Sequence, residues 1–260
     1  MKSNYTALWL LLAIALAAVI TVGFAEDFTV LGHTLKKAPI AETLFPEKES
    51  ADTVVVLPDS LFEIAKEDRV EVDSLPKSIL LFGDSMTLNL ALRLAKYAKQ
   101  NGHQMHAVNW DSSNTKIWAE SDTLEYFLKK YQADFVFISL GSNETYFKNP
   151  ESRLPYVTRI LQKIGDIPYV WIGPPNWNED TGINDLIESS CMPGSFFRSA
   201  GMEFKRKKDH IHPTRASSAL WIDSIARWMP KSFHPILMDT PSDSIGKVKT
   251  HVTFLKALNK

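Results

Sequence analysis

The chain has 260 residues, of which 45% are hydrophobic and 23% are charged, and its formal net charge is −1. This composition is typical of a globular protein with one sizeable core, and the near-neutral charge excludes a general electrostatic attraction to nucleic acid. Cys191 is the only cysteine, which excludes an internal disulfide bond and a zinc site built on cysteines.

An apolar run over residues 7–25 lies near the N-terminus. Its length suits a helix that crosses a bilayer, which needs roughly 20 residues. Lys2 precedes the run, and Glu26 and Asp27 follow it, so the charge asymmetry predicts a cytoplasmic N-terminus and an exported remainder. Two outcomes stay open: an uncleaved anchor facing the periplasm or exterior, which we favour, and secretion after cleavage behind Ala25.

Residues 26–77 carry weaker signals, and we interpret them as a spacer or N-terminal extension. Short runs at residues 28–31 and 52–57 are typical of strands, and the segments between them predict surface linker. We therefore expect four parts: a signal peptide or signal anchor (1–25), this extension (26–77), the main domain (78–229) and a C-terminal extension (230–260).

Strands and helices alternate along the main domain. Runs of apolar residues predict buried strands, and apolar residues at helical spacing predict the helices between them. The predicted strands are residues 79–82, 104–110, 135–140 and 169–173. The predicted helices are residues 88–98, 122–131, 152–164, 183–188 and 215–229. This alternation predicts an α/β fold with a parallel sheet of the doubly wound type.

Gly83, Asp84 and Ser85 directly follow the first of these strands. A glycine lets the backbone turn sharply, so Ser85 is expected at the carboxyl end of a strand and the amino end of a helix. Active sites of open α/β sheets lie at that edge, and the free N–H groups of a helix N-terminus suit a developing oxyanion. The alternative is that Asp84 and Ser85 only cap the helix.

The other strands also end in polar residues, which predicts that these residues meet at one edge of the sheet. Ser113 and Asn114 follow the second strand, Asn143 follows the third, and Asp209 and His212 precede the last helix. Acyl transfer needs a nucleophile, a base, a group that orients the base, and donors for the oxyanion. The histidine can act as the base, and the aspartate three residues earlier can reach its far ring nitrogen.

The motifs in this order resemble those of the SGNH hydrolase family, also called the GDSL esterases and lipases. The resemblance covers residues 78–229. The matching blocks are Gly83-Asp84-Ser85, Gly141-Ser142-Asn143, and Asp209 with His212. It implies a flavodoxin-like three-layer α/β/α fold with a central parallel sheet. It also implies hydrolysis or transfer of acyl groups on esters, often acetyl groups on glycans.

The resemblance further implies roles for individual residues. Ser85 is expected as the nucleophile, His212 as the base and Asp209 as the partner of that base. Asn143 is expected to donate a hydrogen bond to the oxyanion, and a second donor is expected near Asn114. No cofactor is implied.

Two positions depart from the family pattern. Where the family usually offers a glycine N–H to the oxyanion, this chain has Asn114 preceded by Ser113. Asparagine tolerates left-handed backbone better than most residues, so the donor can survive. Where an aspartate usually follows the asparagine of the third block, this chain has Glu144. We expect that residue to support the site from behind.

Several further residues have two interpretations. Trp177, after the fourth strand, can stack on a sugar ring, whereas Trp110 is better explained as the end of a buried strand. The basic run over residues 205–208 predicts a solvated loop or, alternatively, a patch that attracts an anionic glycan. His210 and His212 form a His-x-His pair, but no zinc motif accompanies it, so no metal site is predicted.

The sequence therefore predicts an extracytoplasmic serine esterase that hydrolyses an acyl ester, in particular an acetyl ester, on a glycan or small molecule. One alternative is an O-acyltransferase acting on a cell-envelope polysaccharide through the same triad. Another is an inactive envelope protein that retains the fold. The expected partners are the acylated substrate and, if residues 7–25 are not cleaved, the membrane.

Overall fold

The computed structural model describes residues 28–30, 33–35 and 71–257. The chain forms two compact units, Met1–Ala65 and Lys66–Lys260. In the first unit, strands β1 (Phe28–Val30) and β2 (His33–Leu35) pair in antiparallel fashion. This confirms the predicted strand at residues 28–31. The predicted signal segment and the predicted strand at residues 52–57 lie outside the described residues.

The second unit is built on a six-stranded sheet with the strand order β7-β6-β5-β3-β4-β8, in which every neighbouring pair is parallel. The chain passes from β3 to β4 on one side and then to β5 on the other side of β3, so the strand order reverses at β3. Open α/β sheets bind ligands at such a switch point. The strands are β3 (Ser78–Gly83), β4 (Gln104–Trp110), β5 (Phe135–Ser139), β6 (Tyr169–Ile172), β7 (Phe196–Phe197) and β8 (His251–Leu255).

Within residues 71–257, six α-helices and three short 3₁₀-helices accompany the sheet. The α-helices are α1 (Thr87–Gln100), α2 (Thr115–Glu120), α3 (Thr123–Tyr131), α4 (Leu154–Ile164), α5 (Ile183–Ser190) and α6 (Arg215–Trp228). The 3₁₀-helices are Pro150–Arg153, Met229–Lys231 and Asp243–Ile245. Among the described helices, none combines the length and the hydropathy that a membrane crossing requires.

Two buried apolar clusters lie on opposite faces of the sheet, because successive side chains of a strand point to opposite sides. Leu80 and Phe82 of β3 belong to the cluster that packs against α2, α3, α4 and α5. Ile79 and Leu81 belong to the cluster that packs against α1 and α6. Helices therefore cover both faces of a parallel sheet, which confirms the predicted α/β class and leaves the ends of the strands open for a site.

Among the strands and α-helices described in the second unit, three were not predicted, namely α2, β7 and β8. Strand β8 lies in the segment that we interpreted as a C-terminal extension, and it pairs with β4 so that His251 lies opposite His106. None of the five residues of β8 is fully buried. An edge strand of this kind lacks the continuous apolar run that identified the central strands.

Candidate active site

Ser85 lies in the turn between β3 and α1, as the sequence predicted. A Cβ atom on Gly83 would lie 1.9 Å from the carbonyl oxygen of Ser139, so only glycine allows the end of β3 to approach β5 this closely. The N–H of Asp84 donates to the same Ser139 oxygen over 3.0 Å. The turn is therefore fixed against the carboxyl end of β5, the strand that leads to Asn143.

Ser85, His212 and Asp209 form one hydrogen-bonded chain. The Nε2 atom of His212 lies 2.8 Å from Ser85 Oγ, across 127 positions of sequence, and the Nδ1 atom lies 2.9 Å from Asp209 Oδ2. A carboxylate that accepts the Nδ1–H leaves Nε2 able to accept a proton. The geometry thus joins a hydroxyl, a base and a group that orients the base.

Asp209 also binds backbone N–H groups of its own loop, in addition to the His212 ring. Its Oδ1 atom accepts the backbone N–H groups of His212 and Ile211, both over 2.9 Å. These two backbone hydrogen bonds, followed by the one from the His212 ring, hold the pKa of the Asp209 carboxyl well below its usual range. The Asp209 side chain is 42% exposed, and solvent weakens the effect of an exposed charge. We therefore assign Asp209 the role of orienting the His212 ring rather than a large electrostatic role.

The loop over residues 205–214 presents the histidine. The Lys207 N–H donates to the His212 oxygen and the Thr214 N–H to the Lys205 oxygen, both over 2.8 Å, as in a short antiparallel hairpin. His210 lies at the tip with φ +58°. The interpretation of His210 as a loop residue is therefore confirmed, and the backbone pairing sets where the His212 ring points.

Asn143 and Ser113 are in direct contact. Asn143 follows β5, and its Nδ2 atom donates to the Ser113 carbonyl oxygen over 2.8 Å. An amide nitrogen carries two hydrogens, so the second hydrogen remains for another acceptor. Ser113 is buried, and its hydroxyl oxygen accepts the indole N–H of Trp118 over 2.9 Å. Ser113 therefore supports the site through its carbonyl group.

Asn114 does not adopt the left-handed backbone that an asparagine tolerates. Asn114 is extended, with φ −145° and ψ 178°, and the left-handed residue of this turn is Ser112 with φ +58°. Asn114 is extended because it caps α2, and its Oδ1 atom accepts the Ile117 N–H over 3.1 Å. Within residues 71–257, the backbone N–H groups of Asn114 and Ser85 have no hydrogen-bond acceptor. Both N–H groups are thus available as donors.

Glu144 supports the turn between β4 and α2, as expected. Its carboxylate is buried and accepts the Thr115 N–H over 3.0 Å and the Thr115 hydroxyl over 2.6 Å. Arg153 Nε lies 3.3 Å from Glu144 Oε1. Burial raises the pKa of Glu144, against the opposing effect of the Thr115 hydrogen bonds and the arginine. Glu144 therefore ties the start of α2, next to Asn114, to the loop that carries Asn143.

The indole N–H of Trp177 forms a hydrogen bond within the protein. Its indole N–H donates to the Ser142 carbonyl oxygen over 2.9 Å, and its ring lies edge-on to Tyr146 with 6.1 Å between the centroids. Trp177 therefore holds the backbone next to Asn143, and its contact with a sugar stays a prediction. Trp110 is 6% exposed and donates to the Lys256 oxygen, so its interpretation as the end of a buried strand is confirmed.

Asp84 is fully buried beneath the site. Its Oδ1 atom accepts the Met86 N–H over 3.0 Å, whereas Oδ2 has no hydrogen-bond partner among the described residues. Burial raises the pKa of Asp84 from 3.8 to about 7, against the lowering effect of the Met86 hydrogen bond. Asp84 does not cap α1 as the alternative held, since Met86 is the N-cap residue and has no side-chain cap hydrogen bond; Asp84 instead closes the turn that precedes the helix.

We expect Asp84 to make stability depend on pH. Between about pH 4 and pH 7 the folded state keeps a proton that the unfolded state has lost, so stability falls as pH rises, by up to about 1.4 kcal/mol per pH unit. Urea unfolding of the parent and of Asp84→Asn at pH 5 and pH 7 measures this effect. The free energy of unfolding should fall more steeply in the parent than in the variant. Equal slopes would show that Asp84 does not titrate in this window.

Metal-binding side chains do not form a cluster in the described part of the chain. No group of three His, Cys, Asp or Glu residues there is arranged to hold an ion. His103 uses Nδ1 to accept the Lys77 N–H over 3.1 Å, and its Nε2 lies 2.8 Å from the Leu237 oxygen. Both ring nitrogens of His103 are therefore occupied by backbone groups.

Comparison with known proteins adds little to this geometry. No protein-family model matches the chain, and no curated protein matches it. A solved structure described as a gut microbial diltiazem-metabolizing enzyme is similar, with 9% sequence identity and a TM-score of 0.36. The match covers 47% of this chain and 34% of the other, so this chain spans about a third of that enzyme's length. A similarity of this size carries no conclusion about fold or activity.

Proposed function

We propose that this protein is a serine ester hydrolase of the SGNH type that works through an acyl-Ser85 intermediate. The observation that carries the proposal is the continuous hydrogen-bonded chain from Asp209 through His212 to Ser85. Capping a helix requires neither a histidine at the serine hydroxyl nor a carboxylate at the far ring nitrogen. Nucleophilic catalysis requires both.

In the first half of the reaction, Ser85 Oγ attacks the ester carbonyl carbon and its proton moves to His212 Nε2. The new Oγ–C bond places a negative charge on the former carbonyl oxygen. When this intermediate collapses, the bond to the alcohol breaks, and the alcohol leaves with the proton from His212. Asp209 accepts the Nδ1–H of the imidazole during these steps and keeps the ring oriented.

Three donors are available for the oxyanion. They are the Ser85 N–H at the start of α1, the Asn114 N–H, and the second Nδ2 hydrogen of Asn143. Glu144 and Ser113 hold the last two, since they fix the turn before α2 and the Asn143 amide. Fixed donors stabilise the transition state because they need no reorganisation when the charge develops.

In the second half, an acceptor attacks the acyl-Ser85 carbonyl while His212 takes the proton of that acceptor. Water is the favoured acceptor, because the His212 side chain is 26% exposed and Asp209 is 42% exposed. Hydrolysis then releases the carboxylic acid and returns the proton to Ser85 Oγ. An open site also suits an acyl group carried on a polymer, which fits the predicted glycan ester and the predicted export of the domain.

Replacing Asn143 by alanine is expected to lower kcat for p-nitrophenyl acetate about 10²- to 10³-fold while KM changes little. The reason is that the amide donates to the oxyanion, which exists only after attack has begun. Steady-state kinetics of the full-length chain measure this split. Asn149→Ala, at an exposed position, is the control and should match the parent. A variant with unchanged kcat would remove Asn143 from the oxyanion site.

Acetylated xylan and acetylated peptidoglycan test the substrate class. Release of free acetate without a sugar acceptor supports hydrolysis of a glycan ester. If acetate is released only slowly, and an added polysaccharide takes up the acetyl group from an acyl donor, the protein is the transferase of the alternative. Ser85→Ala serves as the blank in both assays, because each reaction passes through the same acyl-serine.

A further inference from the structure

The four basic residues at positions 205–208 are of two different kinds. Lys205, Lys207 and Lys208 are exposed, and none of them forms an ion pair with another described residue. Arg206 is only partly exposed, and its guanidinium donates to backbone carbonyl groups. The prediction of a solvated basic loop therefore holds for the lysines and fails for Arg206.

Arg206 joins two separate loops of the site. Its Nη1 atom donates to the carbonyl oxygen of Ile211, the residue before His212. Its Nη2 atom donates to the carbonyl oxygen of Asn176 over 2.7 Å. One planar guanidinium thus contacts the loop that carries the base and the loop that follows β6.

The loop after β6 is itself fixed to the oxyanion side of the site. Asn176 accepts a hydrogen bond from the buried Asn184, which also donates to Asp180 over 2.8 Å. The next residue, Trp177, donates to the Ser142 carbonyl oxygen. The loop is therefore fixed by Asn184, and through Trp177 it contacts the backbone next to Asn143, the proposed oxyanion donor.

We propose that Arg206 is a positioning residue that fixes the His212 loop relative to the oxyanion donors. This inference rests on the proposed function. Arginine suits the task because its rigid fork of N–H donors serves two carbonyl groups at once, whereas a lysine ammonium acts as a single compact charge. Small displacements of a base from its nucleophile can cost about 100-fold in rate, so a clamp of this kind supports catalysis without contacting the substrate.

The test compares Arg206→Ala and Arg206→Lys with Lys208→Ala, which removes a charge from the same loop but no clamp. With p-nitrophenyl acetate, which is neutral, kcat should fall about 10- to 100-fold in Arg206→Ala and KM should stay within about twofold. Added guanidinium should restore part of the kcat of Arg206→Ala. Arg206→Lys should be intermediate, and Lys208→Ala should match the parent. Thermal unfolding shows which variants are folded. If Arg206→Ala does not fold, the comparison of Arg206→Lys with Lys208→Ala provides the test.

A second measurement does not depend on turnover. The Nδ1 proton of His212, held by Asp209, should give a downfield proton NMR signal in the parent that broadens or shifts in Arg206→Ala and not in Lys208→Ala. An unchanged signal together with an unchanged kcat would overturn the clamp. Equal losses of kcat in Arg206→Ala and Lys208→Ala would also overturn the clamp, because they would show that only the positive charge of the loop matters. A parent without Ser85-dependent activity would instead reject the proposed function, and the NMR comparison would still decide the clamp.

Discussion

Replacing Ser85 by alanine is expected to reduce ester hydrolysis by a factor of about 10⁴ or more. The reason is that no other hydroxyl lies within hydrogen-bond distance of His212 among the described residues, so the covalent path is lost entirely. Loss of a triad nucleophile typically removes about 10⁴- to 10⁶-fold of kcat and leaves only the contribution of the oxyanion donors and binding. Steady-state hydrolysis of p-nitrophenyl acetate by the full-length chain measures the effect.

The control for Ser85→Ala is Ser224→Ala in helix α6. Among the described residues, the Ser224 hydroxyl bonds only to Leu220 and Arg227 of the same helix, so its removal tests the loss of a serine hydroxyl without touching the triad. It should keep the parent kcat. If Ser85→Ala retained the parent rate, the hydrolysis would have to occur elsewhere and the acyl-serine mechanism would be excluded.

Replacing His212 by asparagine is expected to reduce kcat about 10³- to 10⁴-fold, because Ser85 then has no base to take its proton. His210→Asn provides a matched control two positions away. His210 lies at the loop tip with φ +58°, and asparagine tolerates this left-handed conformation, so the same chemical change is made without strain. His210→Asn should keep the parent kcat.

The matched pair also separates the base from the loop. If both variants lost activity equally, the effect would come from disturbing the loop rather than from removing the imidazole. If His212→Asn kept full activity, the 2.8 Å contact with Ser85 would have no role in proton transfer. Melting temperatures of the two variants should agree within a few degrees, because His210 is exposed and the His212 side chain is partly exposed.

Much of the fold could be predicted from the sequence, because the central strands carry strong signals. The run from Phe135 to Ile138 is buried on both faces, and such a run of apolar residues is recognisable by itself. Strand β8 could not be found in this way, since it depends on pairing with β4 and buries none of its residues completely. Strand β7 has two residues and helix α2 has six, lengths at which periodicity is weak.

The candidate site was predictable where one residue performs one role. The Asp-x-x-His spacing led directly to the contact between Asp209 and His212. The conformation of Asn114 was not predictable, because the cap of α2 decides it and α2 was not recognised. The clamp by Arg206 was also hidden, since a basic residue between lysines looks the same in sequence whether it faces water or two carbonyl groups.

The acyl-serine itself gives the most direct test of the mechanism. The full-length chain is mixed with p-nitrophenyl acetate, quenched in acid within the first turnovers, and analysed by mass spectrometry of the intact protein and its peptides. One acetyl group should appear on the peptide that contains Ser85, and none should appear there in Ser85→Ala. Turnover without any acetylated protein, or the same acetylated peptide in both proteins, would contradict nucleophilic attack by Ser85.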